Sequence, residues 1–248
     1  LYAWFRVSGQ SRQMRAGSYE IAPGTTPQRL LNMLVRGEES LRTVTIVEGW
    51  NWRQVRQALA KAENLKPDSR VLSDDALMAQ LGRPGVAPEG RFYPDTYSYA
   101  KGSSDLAVLQ RAMKAMDKHV QQAWALRQPD ASLKTPEEAL ILASIVEKET
   151  GKAQDRAQIS GVFNNRLRIG MRLQTDPTVI YGLGEAFDGN LRRVHLSTDT
   201  PWNTYTRAGL PPTPIAMPGK SALLAAVQPA KTPAIYFVAK GDGSSHFS

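Results

Sequence analysis

Apolar positions along the chain recur mostly at the spacing of an amphipathic α-helix, with short β-type runs between the helical segments. The pattern predicts helices over residues 27–35, 52–62, 74–80, 105–126, 135–151, 155–168 and 221–226. Strands are predicted at 17–21, 41–47 and 234–239, and a Gly241-Asp242-Gly243 turn followed by a returning strand is expected over 246–248. Residues 63–88 and 182–220 are rich in turn formers and are expected to be loops. This mixture of segregated helices and strands predicts the α+β class.

Two segments near the N-terminus have a similar order of residues. Ile21-Ala22-Pro23-Gly24 and Ile46-Val47-Glu48-Gly49 are each followed by apolar residues at the same offsets. Each segment is interpreted as a strand, a tight turn and an amphipathic helix. The alternative interpretation is coincidence, because this supersecondary unit is common.

The segment over 135–151 has the clearest helix boundaries in the sequence. Thr135 is a suitable N-cap, Pro136 suits the first helical position, and Glu138 completes a capping-box pattern. Gly151 is expected to end the helix in the left-handed conformation.

A helical wheel of this segment places Glu149 within an apolar stripe that contains Ile145 and Val146. Glu147 falls on the opposite side, with Ser144, where the wheel predicts a polar face. Burial and the nearby helix C-terminus should both raise the pKa of Glu149, and a carboxyl group protonated near neutrality can serve as a general acid. The competing interpretation is a solvated glutamate, or one paired with an arginine.

Composition narrows the possible functions. The 248 residues are 42% hydrophobic with a net charge of +8, which fits a globular protein that binds an anionic polymer or surface. No nucleic-acid motif is present. Cysteine is absent and His119, His195 and His246 are not at metal-ligand spacing, so neither a cofactor nor a metal site is expected. The sequence contains no apolar run long enough to span a membrane.

Glycosidic cleavage is the reaction that best suits one acidic carboxyl group among aromatic and amide side chains. Candidate sugar-binding residues lie in the predicted loops: Tyr93, Tyr97, Gln174, Asp176, Trp202, Asn203 and Tyr205. Most glycoside hydrolases use two carboxyl groups, and Asp176 is the candidate for the second. An Asp that precedes a Pro is equally typical of a turn.

Several motifs together resemble the YceG-like (MltG) family of endolytic murein transglycosylases. They are Ala143 to Thr150, Asn165-Arg166-Leu167, Met171 to Thr178, Asn203-Thr204-Tyr205, Gly209 to Pro212, Ile215 to Gly219 and Glu89 to Tyr97. The resemblance covers nearly the whole chain. It implies that Glu149 is the catalytic residue and that Arg166, Gln174, Asp176, Asn203, Tyr205 and Tyr97 bind substrate.

The resemblance also implies a biological setting. Enzymes of this family are bacterial, are anchored in the inner membrane by one N-terminal helix and face the periplasm. They cut nascent peptidoglycan strands between N-acetylmuramic acid and N-acetylglucosamine and leave 1,6-anhydro ends. Glycan strands are therefore the expected partner, with peptidoglycan synthases as further candidates. Residues 1–42 would form an incomplete LysM-like module and 43–248 a mixed α/β catalytic domain without its C-terminal tail.

Two alternatives to this function stay open at the level of sequence. One is a scaffold that binds glycan without cleaving it, and the other is a hydrolase that uses Glu149 and Asp176. The mass of the product separates the two reactions, since an anhydro end is lighter by one water than a reducing end.

Overall fold

The computed structural model describes residues 6, 11–38, 40–239 and 245–248, and its secondary structure is mixed, with many helices and two small sheets. Its helices are α1 (Pro27–Arg36), α2 (Trp52–Lys61), α3 (Asp74–Gln80), α4 (Asp105–Ala125), α5 (Pro136–Glu149), α6 (Ala153–Arg168), α7 (Asp176–Leu183), α8 (Arg193–Ser197) and α9 (Lys220–Val227). Its strands are β1 (Leu41–Thr45), β2 (Thr96–Ala100), β3 (Phe237–Ala239) and β4 (Ser245–Phe247). Short 3₁₀ turns occur at Ser11–Gln13, Asp68–Val71 and Gly184–Ala186.

The two sheets are antiparallel pairs. β1 pairs with β2 in a register that places Val44 opposite Tyr97, and β3 pairs with β4 so that Phe237 faces Phe247. The predicted strands at 41–47 and 234–239 are confirmed over shorter spans, and the returning strand is confirmed one residue earlier than predicted. The turn predicted at Gly241-Asp242-Gly243 lies outside the described residues, as do residues 1–5. β2 was not predicted, because the alternation of Thr96–Ala100 directly follows a turn-forming aromatic segment.

The predicted strand over 17–21 is wrong, since the structure has no strand there. A single backbone bond, from Ser40 N–H to the Ser18 carbonyl (2.9 Å), joins this segment to the chain beside β1, and one bond does not make a ladder. The first copy of the proposed repeat therefore lacks its strand but keeps the turn at Pro23-Gly24 and the helix, where α1 begins at a Thr26 cap. The boundary predicted between residues 42 and 43 falls inside β1.

The apolar interior forms two clusters. The first core lies among α5, α6, α9 and the second half of α4, with Leu142, Ile145 and Phe163 fully buried. The second core lies among β1, β2, α2, α3 and the first half of α4, with Phe92 and Leu109 at its centre. Because α4 supplies side chains to both clusters, it is the element that the two cores share.

α5 has a long run of consecutive buried residues, and its environment differs from the predicted one. Thr135 caps it by accepting from the Glu138 N–H (3.1 Å), as expected, while the Glu138 carboxylate accepts from Lys134 rather than closing a capping box. Every residue from 139 to 146 is buried, so the predicted polar face does not exist. The helix ends at Thr150 in an extended conformation, and the left-handed stop predicted at Gly151 is wrong.

A short seam joins the two cores. The Gly49 N–H donates to the Met217 carbonyl (2.9 Å), and the Met217 N–H donates to the Trp50 carbonyl (2.7 Å). Gly90 packs against Pro214 with φ +76°, and a Cβ there would lie 2.4 Å from the Pro214 ring. Only glycine fits this position without displacing the proline. The seam holds the end of β1 and its loop against the segment that leads into α9.

None of the helices in the described part of the chain is both long enough and apolar enough to cross a bilayer.

Candidate active site

Glu149 is the last residue of α5 and the centre of the candidate site. Its carboxylate accepts a short hydrogen bond from the Thr175 hydroxyl. Thr175 is buried and stands immediately before α7, so the bond joins the end of α5 to the start of α7. This contact fixes the direction of the carboxyl group relative to the exposed residues that follow Thr175.

The electrostatic surroundings favour the protonated form of Glu149. Burial raises the pKa of its carboxyl group, and the negative charge of Asp176 raises it further. The Thr175 hydroxyl and the Arg166 guanidinium act in the opposite direction and do not cancel the effect of burial. The result is a carboxyl group that holds its proton more firmly than a solvated glutamate, which is the property required of a general acid.

A group of buried threonines supports Thr175, and sequence reasoning did not assign it a role. The Thr204 hydroxyl accepts from the Thr175 N–H (3.1 Å) and shares a hydrogen bond with the Thr178 hydroxyl (2.8 Å). All three side chains are buried. The only signal in the sequence was the position of Thr175 and Thr178 on either side of Asp176-Pro177 within a recognisable motif.

Asp176 and Tyr205 form the exposed edge of the site. The Tyr205 hydroxyl donates to Asp176 Oδ1 at 2.5 Å. Burial and this hydrogen bond raise the pKa of Tyr205, and the nearby charge of Glu149 adds to the rise. Asp176 is the first residue of α7, so the interpretation as a turn residue is replaced by a helix start. The structure therefore brings Glu149, Asp176 and Tyr205 together.

Gln174 lies at the same edge in an unusual backbone conformation. Its φ is +48°, in the left-handed region that non-glycine residues rarely adopt. Its N–H donates to the Thr204 carbonyl (3.1 Å), and its side chain is exposed. Residues held in strained conformations often cluster at functional sites, and Gln174 has this character beside Glu149.

Arg166 and Asn203 act on the protein's own backbone. The buried Arg166 guanidinium donates to the Leu173 and Ile235 carbonyls, and it lies over the Tyr236 ring at 5.2 Å. Asn203 is 1% exposed; its amide donates to three carbonyls of the segment around α8, and its Oδ1 accepts from the Tyr205 N–H (2.9 Å). Both side chains bond to the backbone near the exposed edge, so they position the site and do not face open space.

Tyr97 lies apart from this group. It is on β2 with its ring in the second core, and its hydroxyl donates to the Tyr93 carbonyl (2.7 Å). Burial raises the pKa of its hydroxyl, and the charge of Asp95 adds to the rise while Arg111 opposes it. A β-strand buries alternate side chains and Tyr97 is on the buried face; its expected role in substrate binding stays a prediction.

Glu147 is not on a solvated face. Its side chain is 5% exposed, forms an ion pair with Arg156 (2.9 Å) and accepts from the Gly219 N–H (2.9 Å). It therefore ties α5 to α6 and to the start of α9. Substitution of Glu147 would leave Arg156 buried without its partner, so this residue is a poor silent control for Glu149.

A cleft of about 650 Å³ opens beside the site, on the other side of α7. We call it the aromatic cleft, and its principal lining residues are Trp52, Glu89, Pro177, Tyr181, Phe187 and Trp202. Glu89, which the sequence did not single out, is 5% exposed, and both its oxygens lie 3.1 Å from the Trp52 N–H. Burial raises the pKa of Glu89 to about 7, although the bonds from Trp52 and the Tyr181 hydroxyl oppose the rise.

The acidic and histidine side chains of the described segments nowhere gather in a group of three or more that could hold a metal ion.

The sequence matches one known protein family and several of its named members. The model of the YceG-like family matches residues 1–248. An endolytic murein transglycosylase of Bacillus subtilis is 30% identical over 94% of this chain and 69% of its own length. One of Streptococcus pneumoniae is 28% identical over 96% of this chain, which spans about half (49%) of that relative.

A solved structure agrees with this match. The crystal structure of a yceG-like protein from Listeria monocytogenes is similar to the chain with a TM-score of 0.70 and 28% identity, over 99% of this chain and 85% of the other.

Proposed function

The chain belongs to the YceG-like family, and from this premise we infer that it carries the endolytic murein transglycosylase activity for which its relatives are named. Glu149 is the single acid and base of the reaction. The observation that carries this assignment is a buried carboxyl group with a raised pKa, fixed by Thr175 and placed beside the exposed pair of Asp176 and Tyr205.

The reaction proceeds in two proton transfers at one carboxyl group. Protonated Glu149 donates to the oxygen that links C1 of N-acetylmuramic acid to C4 of N-acetylglucosamine, and that bond breaks. The C6 hydroxyl of the same muramic acid attacks C1 and gives its proton to the Glu149 carboxylate. The new C1–O6 bond closes the 1,6-anhydro ring, no water is consumed, and Glu149 is again protonated.

The surrounding residues have separate roles in this scheme. Gln174, Asp176 and Tyr205 are exposed or half-buried at the edge of the site and are placed to contact the sugar. Arg166 and Asn203 position this edge through the backbone bonds described above. The negative charge of Asp176 also adds to the rise in the pKa of Glu149 that burial causes.

A two-carboxylate hydrolase is the competing function, because Asp176 lies near enough to affect the pKa of Glu149. Digestion of purified sacculi followed by mass analysis of the chain ends separates the two. Anhydro ends support the lytic reaction, whereas reducing ends, heavier by one water, would establish hydrolysis. Release of neither product by a folded protein that binds the strands would establish a scaffold.

The wider setting follows from the family. We propose that residues 1–42 contribute to a LysM-like glycan-binding module, that the protein is held at the inner membrane with this domain in the periplasm, and that peptidoglycan synthases are its partners. Fractionation of cells that express the complete protein, with protease accessibility of the catalytic domain, tests the location. Protection from protease in spheroplasts would contradict a periplasmic domain.

A further inference from the structure

The aromatic cleft is a second polar and aromatic depression that the reaction at Glu149 does not use. Its volume of about 650 Å³ lies within the ordinary range of ligand pockets. Tyr181, Phe187 and Trp202 are half-buried along one wall, and Tyr181 and Trp202 meet edge to face with their centroids 5.5 Å apart. The opposite wall is the start of α2, where Trp52 is braced on Phe92. The rings are therefore held in fixed orientations.

The polar part of the cleft is also fixed in place. Glu89 lines it from a buried position, with its carboxylate bonded to the Trp52 N–H and to the Tyr181 hydroxyl. Its bonds reach both walls of the cleft, so this buried carboxyl group holds Trp52 and Tyr181 in place. Aromatic faces fixed in this way are suited to stack on the C–H face of a sugar ring.

The cleft adjoins the candidate active site along the chain. Lys148, which lines the cleft, directly precedes Glu149, and Pro177, which also lines it, directly follows Asp176. The side of α7 that carries Pro177, Ile180 and Tyr181 faces the cleft, whereas Asp176 contacts Tyr205. A polymer that contacts both Glu149 and the cleft would therefore cross the start of α7.

The charges around the cleft favour a neutral ligand. The charged lining residues are two of each sign: Arg53, Lys148, Glu89 and Glu185. Arg53 is paired with Glu185 at 2.6 Å, and the Lys148 ammonium donates to the Gly49 carbonyl at 3.3 Å. An acidic stem peptide would meet no surplus of positive charge here, whereas an uncharged acetamido sugar meets no penalty.

We propose that the aromatic cleft is a subsite for an N-acetylhexosamine residue of the glycan strand away from the cleaved bond, with Phe187 and Trp202 as stacking surfaces and Glu89 as the buried group that holds the opposite walls in place. This subsite rests on the proposed function, because it supposes that the ligand is a glycan. Such a subsite lets the enzyme bind a continuous strand away from the cleaved bond, as cleavage within a strand requires.

Binding measured without cleavage tests the subsite. The probe is a hexamer of N-acetylglucosamine, titrated calorimetrically into the Glu149→Gln protein and into the same protein with Phe187→Ala. We expect the dissociation constant to rise about fivefold on loss of the ring, within the range of aromatic contacts. Leu126→Ala, which removes an exposed apolar side chain elsewhere, is the matched control and should leave it unchanged.

The outcomes separate the subsite from the function. Equal affinities of the Phe187→Ala and parent proteins would overturn the subsite, even if the wild type releases anhydro ends. Loss of binding of a free stem peptide, rather than of the hexamer, would also overturn it and assign the cleft to peptide. Release of no anhydro ends by the wild type would overturn the function alone. If Phe187→Ala does not fold, as judged by its melting curve, Phe187→Leu carries the same expectation.

Discussion

Glu149 and Glu89 both have buried carboxyl groups. Each lies at the end of a helix, one at a C-terminus and the other at an N-terminus. Glu149 is the last residue of α5, whereas Glu89 accepts from the first N–H of α2. Burial is the largest influence on the pKa of each and raises both. Helix N-termini favour an anion and C-termini disfavour one, so the helix end opposes the effect of burial at Glu89 and adds to it at Glu149.

The difference in function comes from what stands in front of each carboxyl group. Glu149 is next to Asp176 and Tyr205 at an exposed edge, where a sugar oxygen can approach. Glu89 is 5% exposed, and its oxygens are occupied by Trp52 and Tyr181. Burial can thus produce an acidic group at either place, and access to the reacting atom decides which of them is the acid of the reaction.

The largest expected effect is on cleavage. Glu149→Gln should lower the release of anhydro-ended muropeptides by roughly 10²–10⁴-fold, because it removes the proton donor. Glu89→Gln, the matched change in the other carboxyl group, should lower it by less than about tenfold, since only a residue that supports the aromatic cleft is altered. Mass analysis of digested sacculi measures both. Equal losses in two folded variants would remove the distinction between the sites.

The next effect is on stability and concerns Glu89. Its folded pKa of about 7 lies above the value of 4.5 for a free glutamate, so between these values the folded state binds more protons than the unfolded state. The free energy of unfolding should therefore fall as pH rises through this window, by roughly 3 kcal/mol. Urea denaturation at pH 5 and pH 8 should show a flatter dependence in Glu89→Gln. Parallel curves for the two proteins would contradict the pKa of Glu89.

A smaller effect concerns the pH dependence of cleavage. Activity should fall as pH rises through the raised pKa of Glu149, because the acid form starts the reaction. Asp176→Asn removes a negative charge and should move this fall to lower pH, whereas Thr175→Val removes a hydrogen bond to the anion and should move it to higher pH. Rates on glycan strands over a pH series measure the midpoints. Shifts of the same sign would show that Glu149 is not the titrating group.

The last prediction is that removal of metal ions has no effect. Exhaustive treatment with EDTA should leave both cleavage and the melting temperature unchanged, because the described residues hold no cluster of metal ligands. A loss of activity that zinc or magnesium restores would mean that the carboxyl groups act through a cation, and the contrast between Glu149 and Glu89 would then need another cause.

Periodicity predicted the long helices well, and it predicted the environment of α5 less well. A helical wheel reports the contrast between faces, and α5 has none, because α4, α6 and α9 surround it and bury Ser144 as fully as Ile145. The wheel selected Glu149, but it placed Glu147 in solvent, where the structure has an ion pair with Arg156. A pair formed with another helix leaves no periodic signal within one helix.

Contacts between distant segments were the part of the site that the sequence could not predict. Nothing in the sequence distinguishes Thr175 and Glu89 from other threonines and glutamates. Their importance arises from hydrogen bonds to Glu149 and Trp52, which are distant in the chain. Tyr97 illustrates a missed element, since its segment looked like a loop in the sequence and forms β2 in the structure. The motif that contains Gln174 and Asp176 was recognisable, whereas its backbone strain and the start of α7 were not.

The seam between Gly49 and Met217 has a consequence for the order in which the molecule assembles. Each core is formed largely by neighbouring elements, whereas these two residues are far apart in the chain, and closing so long a loop is entropically costly and slow. Both cores should therefore condense before the seam closes. The aromatic cleft, whose walls come from both sides of the seam, would be completed last. An enzyme that cuts the cell wall would therefore bind the strand fully only after its catalytic chain is made and folded.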